Sequence, residues 1–501
     1  MMAKKFSAIV IILLAAHLFM HKNTFAIALS TSAPDTARYF TFGGTKTEEF
    51  RDLTLTSDSG FALVGSTNGY GQGNRSVYLV RTDKHGNHIW SSVLGGSNVD
   101  RGYSILALND GGFMIAGSSN SLGVNGYDGY LCRTDSNGEP IWEKGLGGAD
   151  WDFFYNMEFL PDSTIIVCGE SYTYSAGGSD AWVLRVDLQG NIVWQQNFGA
   201  TGNDAFYGLS ILHDAIYLCG AYQSSDLDGY LVKLDFSGQL IFEKTFNYLG
   251  ADRFNAVDHT NFDWLFLSGG SIYTDSIGSE ILIQQVDTNG VAGWALTGNG
   301  STDDYFNAIV VKSNSELITA GIKNPGGFGQ KGMWLVQHDS TLNNFRHYVF
   351  GGTLDEEGFS IIETPTGGLA VAGYTSSFGQ GDLDACLLLL EKSEIDPLYI
   401  DLPKTFYETL SPIGIEEPFI NRDILFLYPN PVNDYLFFES ESKWQFVGYK
   451  ILSIEGRICS QGEINKKHKG SIDISKMEPG IYFLLMNDMT GTEISAKIIK
   501  K

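Results

Sequence analysis

Seven acidic side chains recur along the chain, and carboxylates are groups that bind cations, accept hydrogen bonds from polar ligands or transfer protons. They are Glu48, Asp100, Asp152, Asp204, Asp252, Asp304 and Glu356. The interval is 52 residues in five steps and 48 residues between Asp204 and Asp252. These acids could bind a cation or a polar ligand, or each carboxylate could accept backbone N–H bonds and fix one loop. Because all seven keep the period, the loop-fixing role is the favoured interpretation.

Aromatic residues in glycine- and serine-rich loops form a second candidate site. Aromatic faces beside acids and amides suit sugars, and variable loops on a rigid scaffold carry function. The alternative is that the rings pack between neighbouring loops. The candidate residues are Tyr70, Tyr127, Tyr174, Tyr222, Tyr273, Phe328 and Phe378, with Tyr172 beside them.

Known catalytic motifs are missing from the sequence. There is no H-E-x-x-H, no G-x-S-x-G with triad partners, no P-loop and no dinucleotide fingerprint. A carboxylate pair for glycoside hydrolysis stays open as an alternative, because its signature is a distance in space. The segments Asp226-Leu-Asp228 and Asp382-Leu-Asp384 resemble parts of a calcium loop but lack the full spacing. No metal or other cofactor is therefore predicted, with Ca²⁺ left open.

The elements that position these residues are short strands. In the copy at 91–142, strand-like runs at 103–108, 113–117, 128–135 and 140–144 are separated by glycine-containing turns. A second-strand glycine recurs in every copy. Its positions are Gly65, Gly117, Gly169, Gly220, Gly269, Gly321 and Gly373. Four strands in each of seven units predict an all-β fold, a seven-bladed β-propeller over 37–391 with about 52 residues per blade. An open β-solenoid is the alternative.

The two ends of the repeat region complement one another. Residues 37–42 read as a fourth strand that precedes the first copy, whereas the seventh copy ends near Leu390 after three strands. An N-terminal strand would therefore complete the last blade. Such closure removes exposed sheet edges, which otherwise promote aggregation.

The net charge is −25, from 58 acidic and 33 basic residues, and the excess lies between residues 23 and 420. This field repels phosphate backbones, which excludes nucleic acid as a partner. Cations or neutral ligands such as sugars fit better, and solubility alone is the alternative explanation.

The N-terminus predicts a signal peptide at 1–28. Lys4 and Lys5 precede an apolar run at 6–19, and Ala26-Ile27-Ala28 offers a cleavage site. An uncleaved membrane anchor is the alternative, and no later segment is long and apolar enough to span a bilayer after cleavage. Of the five cysteines, four lie in strand-like runs and are predicted to be core thiols, with Cys168–Cys219 as an alternative pair.

The period ends at a proline-containing linker, 392–420. Alternating apolar runs and turns over 421–501 then predict a small β-sandwich. Three segments stand out in this module. They are Tyr428-Pro429-Asn430-Pro431, Gly480-Ile-Tyr482 and the terminal Lys497-Ile-Ile-Lys500-Lys501.

Two resemblances follow from these patterns. The repeat D-G-G-F-x-I-A-G followed by D-x-Y-L-x-R-x-D-x-x-G-x-x-x-W resembles propellers of secreted proteins from Bacteroidota-type bacteria. The C-terminal module resembles the type A sorting domain of the type IX secretion system, and this resemblance implies recognition by the outer-membrane translocon. It also implies cleavage in the linker by a sortase-like protease and attachment to the outer-membrane surface. A generic adhesion sandwich is the alternative.

The sequence is compatible with three functions. The favoured one is a secreted or surface-displayed binding module for a glycan or a surface protein, without catalysis. The second is an endoglucanase-like hydrolase or lyase that uses carboxylates on the loop face. The third is a structural surface or adhesion protein.

Overall fold

The computed structural model describes residues 37–248, 250–260, 263–273, 279–297, 303–324, 331–338, 345–392, 411–412, 426–428, 435–439, 446–453, 457–467, 469–478, 480–488 and 493–500. The chain forms two compact units, Met1–Ile413 and Gly414–Lys501. Every element with bounds in the described part is a β-strand. In that same part, no helix has the length and apolarity needed to cross a membrane.

The first unit contains seven antiparallel sheets of the kind found in propeller blades. Six of them follow the chain strand by strand. Their strands are β2 Glu48–Leu55, β3 Phe61–Thr67, β4 Ser76–Thr82 and β5 His88–Leu94; β6 Asp100–Ala107, β7 Phe113–Ser119, β8 Asp128–Thr134 and β9 Pro140–Leu146; β10 Asp152–Phe159, β11 Ile165–Ser171, β12 Asp180–Val186 and β13 Ile192–Phe198; β14 Ala205–Leu212, β15 Ala215–Gln223, β16 Leu227–Asp235 and β17 Leu240–Phe246; β18 Gly250–His259, β19 Trp264–Tyr273, β20 Ser279–Asp287 and β21 Ala292–Thr297; β22 Tyr305–Val311, β23 Leu317–Lys323, β24 Gly332–His338 and β25 Phe345–Phe350.

The seventh sheet joins the two ends of the unit. It consists of β26 Glu356–Glu363, β27 Leu369–Thr375, β28 Asp384–Leu390 and the N-terminal strand β1 Arg38–Phe42. Strand β1 pairs antiparallel with β28, with Phe40 opposite Leu387 and Phe42 opposite Ala385. The pairing predicted for the N-terminal strand is therefore confirmed. A two-residue strand, β29 Ser411–Pro412, pairs with β21.

The seven first strands of the sheets, β2, β6, β10, β14, β18, β22 and β26, contact one another in sequence, and β2 also contacts β26. The succession of sheets is thus closed. Apolar side chains of neighbouring sheets share each core: Phe50 and Tyr78, for example, pack with Leu387 and Ala385 of the seventh sheet. This explains why second and third strands such as β3 and β4 are buried along their whole length.

The recurring second-strand glycine faces a β-bulge. In every one of the seven sheets the register of the first strand shifts by one residue opposite this glycine. A Cβ on Gly169, for example, would overlap the Phe153 carbonyl oxygen and lie 2.9 Å from the Phe154 Cα. The glycine is required because the bulged strand brings its backbone too close for any side chain.

Cys132, Cys168, Cys219 and Cys386 are buried free thiols, as predicted, and Cys459 is exposed. The alternative pair Cys168–Cys219 is not bonded. Burial raises the pKa of the Cys386 thiol to about 12. These cysteines serve as small core residues.

The second unit contains two antiparallel sheets. One consists of β30 Phe426–Tyr428, β31 Tyr435–Glu439 and β34 Lys469–Asp473; the other consists of β32 Phe446–Ser453, β33 Ile458–Lys467, β35 Gly480–Asp488 and β36 Glu493–Lys500. Leu436 and Ile472 of the first sheet share one core with Ile451, Leu484 and Ile498 of the second.

Candidate functional site

The seven recurring acids are buried at the start of the first strands. Their exposed fractions are between 0 and 3%. Asp100 shows the shared pattern. It accepts hydrogen bonds from the Gly96 amide at 2.7 Å, the Ser119 hydroxyl at 2.5 Å and the Ser121 hydroxyl at 2.8 Å. One carboxylate therefore joins the loop that enters a sheet to the end of the second strand of that sheet.

The same contacts recur around the unit. The amide four residues before the acid donates at Gly44, Gly148, Ala200, Tyr248 and Gly352. The residue nineteen positions after the acid donates at Thr67, Ser171, Gln223, Lys323 and Thr375. These bonds support the loop-fixing interpretation, since each carboxylate joins the entering loop to the second strand by local hydrogen bonds.

Asp252 titrates differently from an ordinary carboxyl group. Burial, followed by the nearby charges of Asp228 and Asp226, raises its pKa to about 6. A carboxyl whose pKa is higher in the folded state than in the unfolded chain favours the folded state when it is protonated. This contribution is fully present below about pH 4, the unfolded-state pKa, and is lost as the pH rises through 6. The free energy of unfolding of Asp252→Asn minus that of wild type should therefore increase by about 1 to 2 kcal/mol from pH 4 to pH 7. Urea unfolding at four pH values measures this, and a difference that does not change with pH would contradict it.

Most of the predicted loop aromatics pack against neighbouring rings. Tyr70 stacks on Tyr78, with ring centroids 6.0 Å apart. Tyr174 packs on Trp182, Tyr222 on Tyr230, and Phe378 on Tyr39. The side chain of Tyr273 and the whole of Phe328 lie outside the described residues. Tyr127 differs, because it stacks on Phe153 of the first strand β10 at 5.6 Å.

The sequence interpretation missed a set of side chains on the first strands that breaks the repeat. The residue in each bulge, three positions after the recurring acid, varies in type from sheet to sheet. We call these seven the bulge ring: Arg51, Tyr103, Tyr155, Tyr207, Asn255, Asn307 and Phe359. The residues one position after the acid vary as well and include Glu49, Arg253, Tyr305 and Glu357. Bulges redirect side chains and are enriched next to active sites.

Aromatic contacts link three of the seven residues of the bulge ring. The rings of Tyr103 and Tyr155 lie 5.5 Å apart, and those of Tyr155 and Tyr207 lie 5.4 Å apart. The Arg253 guanidinium, on an exposed side chain, lies 5.9 Å from the Tyr207 ring and 6.0 Å from the Tyr305 ring. Tyrosine and arginine faces are thus presented side by side.

Hydrogen bonds, an ion pair and a cation–π contact involve three further residues of the ring, Asn307, Arg51 and Phe359. Glu357 accepts hydrogen bonds from the Tyr305 hydroxyl at 3.0 Å and the Asn307 amide at 2.8 Å. The Arg51 guanidinium lies 3.9 Å above the Phe359 ring and forms an ion pair with Glu49 at 2.8 Å. The bulge ring is therefore connected from the seventh sheet back to the first.

An aromatic path leads from the bulge ring to an exposed tryptophan. Tyr155 stacks on Phe153, and Phe153 lies against both Tyr127 and Trp151. Trp151 is 51% exposed, although large apolar side chains are usually covered. We call Trp151, Tyr127, Phe153 and Tyr155 the aromatic path. A ligand with apolar faces could contact it from the exposed end inward.

The tyrosines of this site act as neutral donors. Burial, followed by the Glu170 carboxylate, raises the pKa of Tyr155 well above its usual value and that of Tyr207 to about 12. The Tyr155 hydroxyl donates to Glu170 at 2.6 Å, and Ser179 donates to the other oxygen of Glu170 at 2.9 Å. For Arg51, burial opposes a rise in pKa, but the Glu49 carboxylate outweighs it, so the guanidinium stays charged.

A second carboxyl cluster lies farther along the first strands. Burial, followed by the charge of Asp258, raises the pKa of Glu158 to about 8, although the Ile211 amide donates to it at 3.2 Å. The Ser210 hydroxyl bonds the His259 ring at 2.9 Å, and His259 lies 3.7 Å from Asp258. A carboxyl group protonated near neutral pH is what general acid catalysis uses. No group of three His, Cys, Asp or Glu side chains suited to a metal occurs within the described ranges.

The structure brings two of the predicted sorting residues together. Gly480 begins β35 and pairs with Lys500 at the end of β36. The Tyr482 hydroxyl donates to the Glu478 carbonyl at 2.8 Å. Tyr428 ends β30, whereas Pro429, Asn430, Pro431 and Lys501 lie outside the described residues.

Residues 426–501 match the family of secretion system C-terminal sorting domains. The protein is therefore secreted or attached to the cell surface, and its C-terminal domain implies an interaction with the type IX secretion machinery.

One curated protein is similar in sequence to part of this chain. Regulatory protein FlaEY of Caulobacter vibrioides is 26% identical over 179 residues, which cover 30% of this chain. The chain spans only 19% of the length of that relative.

Among solved structures, a fungal alcohol oxidase of the AA5 family in complex with copper superposes with a TM-score of 0.47 at 11% identity, over 94% of this chain and 99% of that one. The Pan2 WD40 domain of Neurospora crassa gives 0.42 at 12% identity, over 71% and 91%. The extracellular domain of a protein from B. thetaiotaomicron described as a one component system gives 0.43 at 11% identity, over 94% and 59%.

Proposed function

We propose that the protein is an exported binding module in which a seven-bladed β-propeller presents a ligand site on its innermost strands. The seven sheets are the blades, and β1 closes the seventh. The C-terminal unit is a β-sandwich that serves as a removable sorting domain. Domain bounds of 1–28 for the signal peptide, 37–391 for the propeller, 392–420 for the linker and 421–501 for the sorting domain fit this organisation.

The observation that carries the proposal is the loss of repeat symmetry in the bulge ring. The second-strand position is glycine in every sheet, and the buried acid is always Asp or Glu, as architecture requires. The bulge residues combine arginine, tyrosine, asparagine and phenylalanine on equivalent positions of one scaffold. Pockets that bind small molecules or chains use this combination of aromatic surface and a few polar groups.

The ligand class that fits best is a glycan. Tyr155 and Tyr207 offer faces for the apolar side of a sugar ring, and the exposed Arg253 side chain offers donors for hydroxyl groups. The net charge of −25 does not oppose a neutral ligand. The location on a secreted or surface-attached protein also brings the site into contact with extracellular polysaccharides.

A glycan array combined with a hydrolysis screen on the purified secreted protein tests the proposal. We expect retention of at least one glycan class without release of reducing ends. Silence on the array and in the screen would refute the glycan proposal. Turnover without retention would instead favour the hydrolase, for which Glu158, with a pKa near 8, is the candidate general acid.

A further inference from the structure

A second acidic residue faces the recurring acid at some of the junctions between sheets. It is the first residue of a third strand and belongs to the preceding sheet. Asp128 faces Asp152, Asp180 faces Asp204, and Asp384 faces Glu48 across a small space next to Gly147, Gly199 and Gly43. A Cβ on Gly199 would collide with Asp204 Oδ2 and lie 3.0 Å from Asp180 Oδ1. A Cβ on Gly43 would lie 2.5 Å from Glu48 Oε2 and 3.0 Å from Asp384 Oδ1.

Other junctions relieve the same crowding with neutral or basic groups. Ser76 and Gly332 replace the second acid in the junctions of Asp100 and Glu356. The Asn247 amide donates to Asp228 at 2.6 Å, next to Asp252. Lys323 forms an ion pair with Asp304 at 2.5 Å. The chain thus has several ways to avoid two adjacent buried charges.

At three junctions the acids accept hydrogen bonds from neutral groups, such as the Val124 amide to Asp128 at 3.0 Å, but no basic side chain pairs with them in the described part of the chain. None of its ion pairs involves Asp128, Asp152, Asp180, Asp204, Asp384 or Glu48. Two like charges in a buried space repel strongly, so a cation or a proton must compensate them.

Asp180 gives the clearest sign of a missing partner. Its exposed fraction is 6%, and its Oδ1 atom has no hydrogen-bond partner among the described residues. That atom lines the space beside Gly199, where Asp204 Oδ2 also lies. A buried carboxylate oxygen without a donor costs free energy unless an ion or water satisfies it.

We propose that Asp180 and Asp204 bind a Ca²⁺ ion between two neighbouring sheets. Two carboxylate oxygens and water or backbone carbonyls match the all-oxygen coordination that Ca²⁺ accepts. The site would work like those of extracellular modules, with a dissociation constant on the order of 10⁻⁴ to 10⁻³ M. The pairs Asp128–Asp152 and Asp384–Glu48 share the geometry. The ion fastens adjacent sheets and does not depend on the glycan proposal.

Equilibrium dialysis of the full chain against CaCl₂, with bound metal counted by atomic absorption, tests this site. Wild type should bind Ca²⁺, and Asp180→Asn should bind one ion fewer per chain. The exposed Asp214 gives a matched control, since Asp214→Asn makes the same charge change and should leave the count unaltered. A wild type that binds no Ca²⁺, or an Asp180→Asn variant with an unchanged count, would overturn the proposal.

Thermal unfolding separates loss of the site from loss of the fold. In EDTA, Asp180→Asn should unfold at or above the temperature of wild type, because a repulsion between carboxylates is removed. CaCl₂ should raise the unfolding temperature of wild type by a few degrees and that of the variant by less. The reason is that an ion that binds only the native state stabilises it. A pair that shares a proton would instead give a wild type stabilised only by acid, which also overturns the proposal.

Discussion

Deletion of residues 426–501 is expected to abolish delivery of the protein to the medium or cell surface. The deleted segment is the matched sorting domain, and it belongs to a separate compact unit with its own core. Because the first unit forms its sheets without strands from this segment, the truncated protein should fold and accumulate inside the cell envelope. Fractionation and immunoblotting in a type IX-competent host should show wild type in the exported fraction and the truncated protein only in the cell fraction.

The control for this deletion removes only the last two lysines, Lys500 and Lys501. Lys500 pairs with Gly480 across β35 and β36, so its loss changes the sorting domain locally and keeps its core. We expect reduced export from this variant and none from the full deletion. Export of the truncated chain at the wild-type level would show that the sorting domain is not the route signal.

Gly169→Ala is expected to cause the largest loss of stability of any single substitution considered. The new Cβ would overlap the Phe153 carbonyl oxygen, and because the backbone fixes the position of a Cβ, no side-chain rotation can relieve the contact. The strand would have to flatten its bulge or move away from its partner. We expect the free energy of unfolding to fall by about 3 kcal/mol or more, measured by urea denaturation.

Gly44→Ala is the matched control for this substitution. Its Cβ would meet the Tyr70 hydroxyl at 2.9 Å, which is the end of a flexible side chain and can move. The loss there should stay within about 0.5 kcal/mol. Equal stability of the two variants would mean that the second-strand glycines do not serve the bulges.

The repeat made most of the architecture predictable. An acid or a glycine that returns at a fixed interval counts the sheets, and the strand at 37–42 had a clear place because the seventh copy lacked one. The loop-fixing role of the acids stays a prediction, and the hydrogen bonds of Asp100 are consistent with it. The hydrogen-bond partners of Asp100 lie four residues before and nineteen or twenty-one residues after it, so each fastening is local in the sequence.

The candidate site was harder to predict, because its side chains are brought together across the whole repeat region. Arg51 contacts Phe359 although more than three hundred residues separate them. The variable loop aromatics predict a binding site in the loops, but rings such as Tyr174 and Phe378 pack on neighbouring rings. The residues one and three positions after each acid differ in type between copies, and this variation indicates the site. Alternate residues of a strand lie on the same face, so these two positions can share one surface. The bulge that redirects the third position has no signature of its own in the sequence.

The sequence also does not indicate the pairs of carboxylates at the sheet junctions. Asp180 and Asp204 belong to different copies, and only the geometry around Gly199 shows that their oxygens share one space. Asp384 faces Glu48 at opposite ends of the repeat region, so closure of the ring is needed before the pair exists.

Titration of the glycan selected by the array against site and loop variants tests the central claim most directly. Tyr207→Ala alters the bulge ring and Arg253→Ala alters the guanidinium that lies against the Tyr207 ring, while Tyr70→Ala alters an exposed loop aromatic of the same unit. Binding measured by calorimetry should weaken at least about tenfold in each of the first two variants and remain near the wild-type value in the third. Wild-type affinity in Arg253→Ala and Tyr207→Ala, with a loss in Tyr70→Ala, would place the site in the loops and contradict the account.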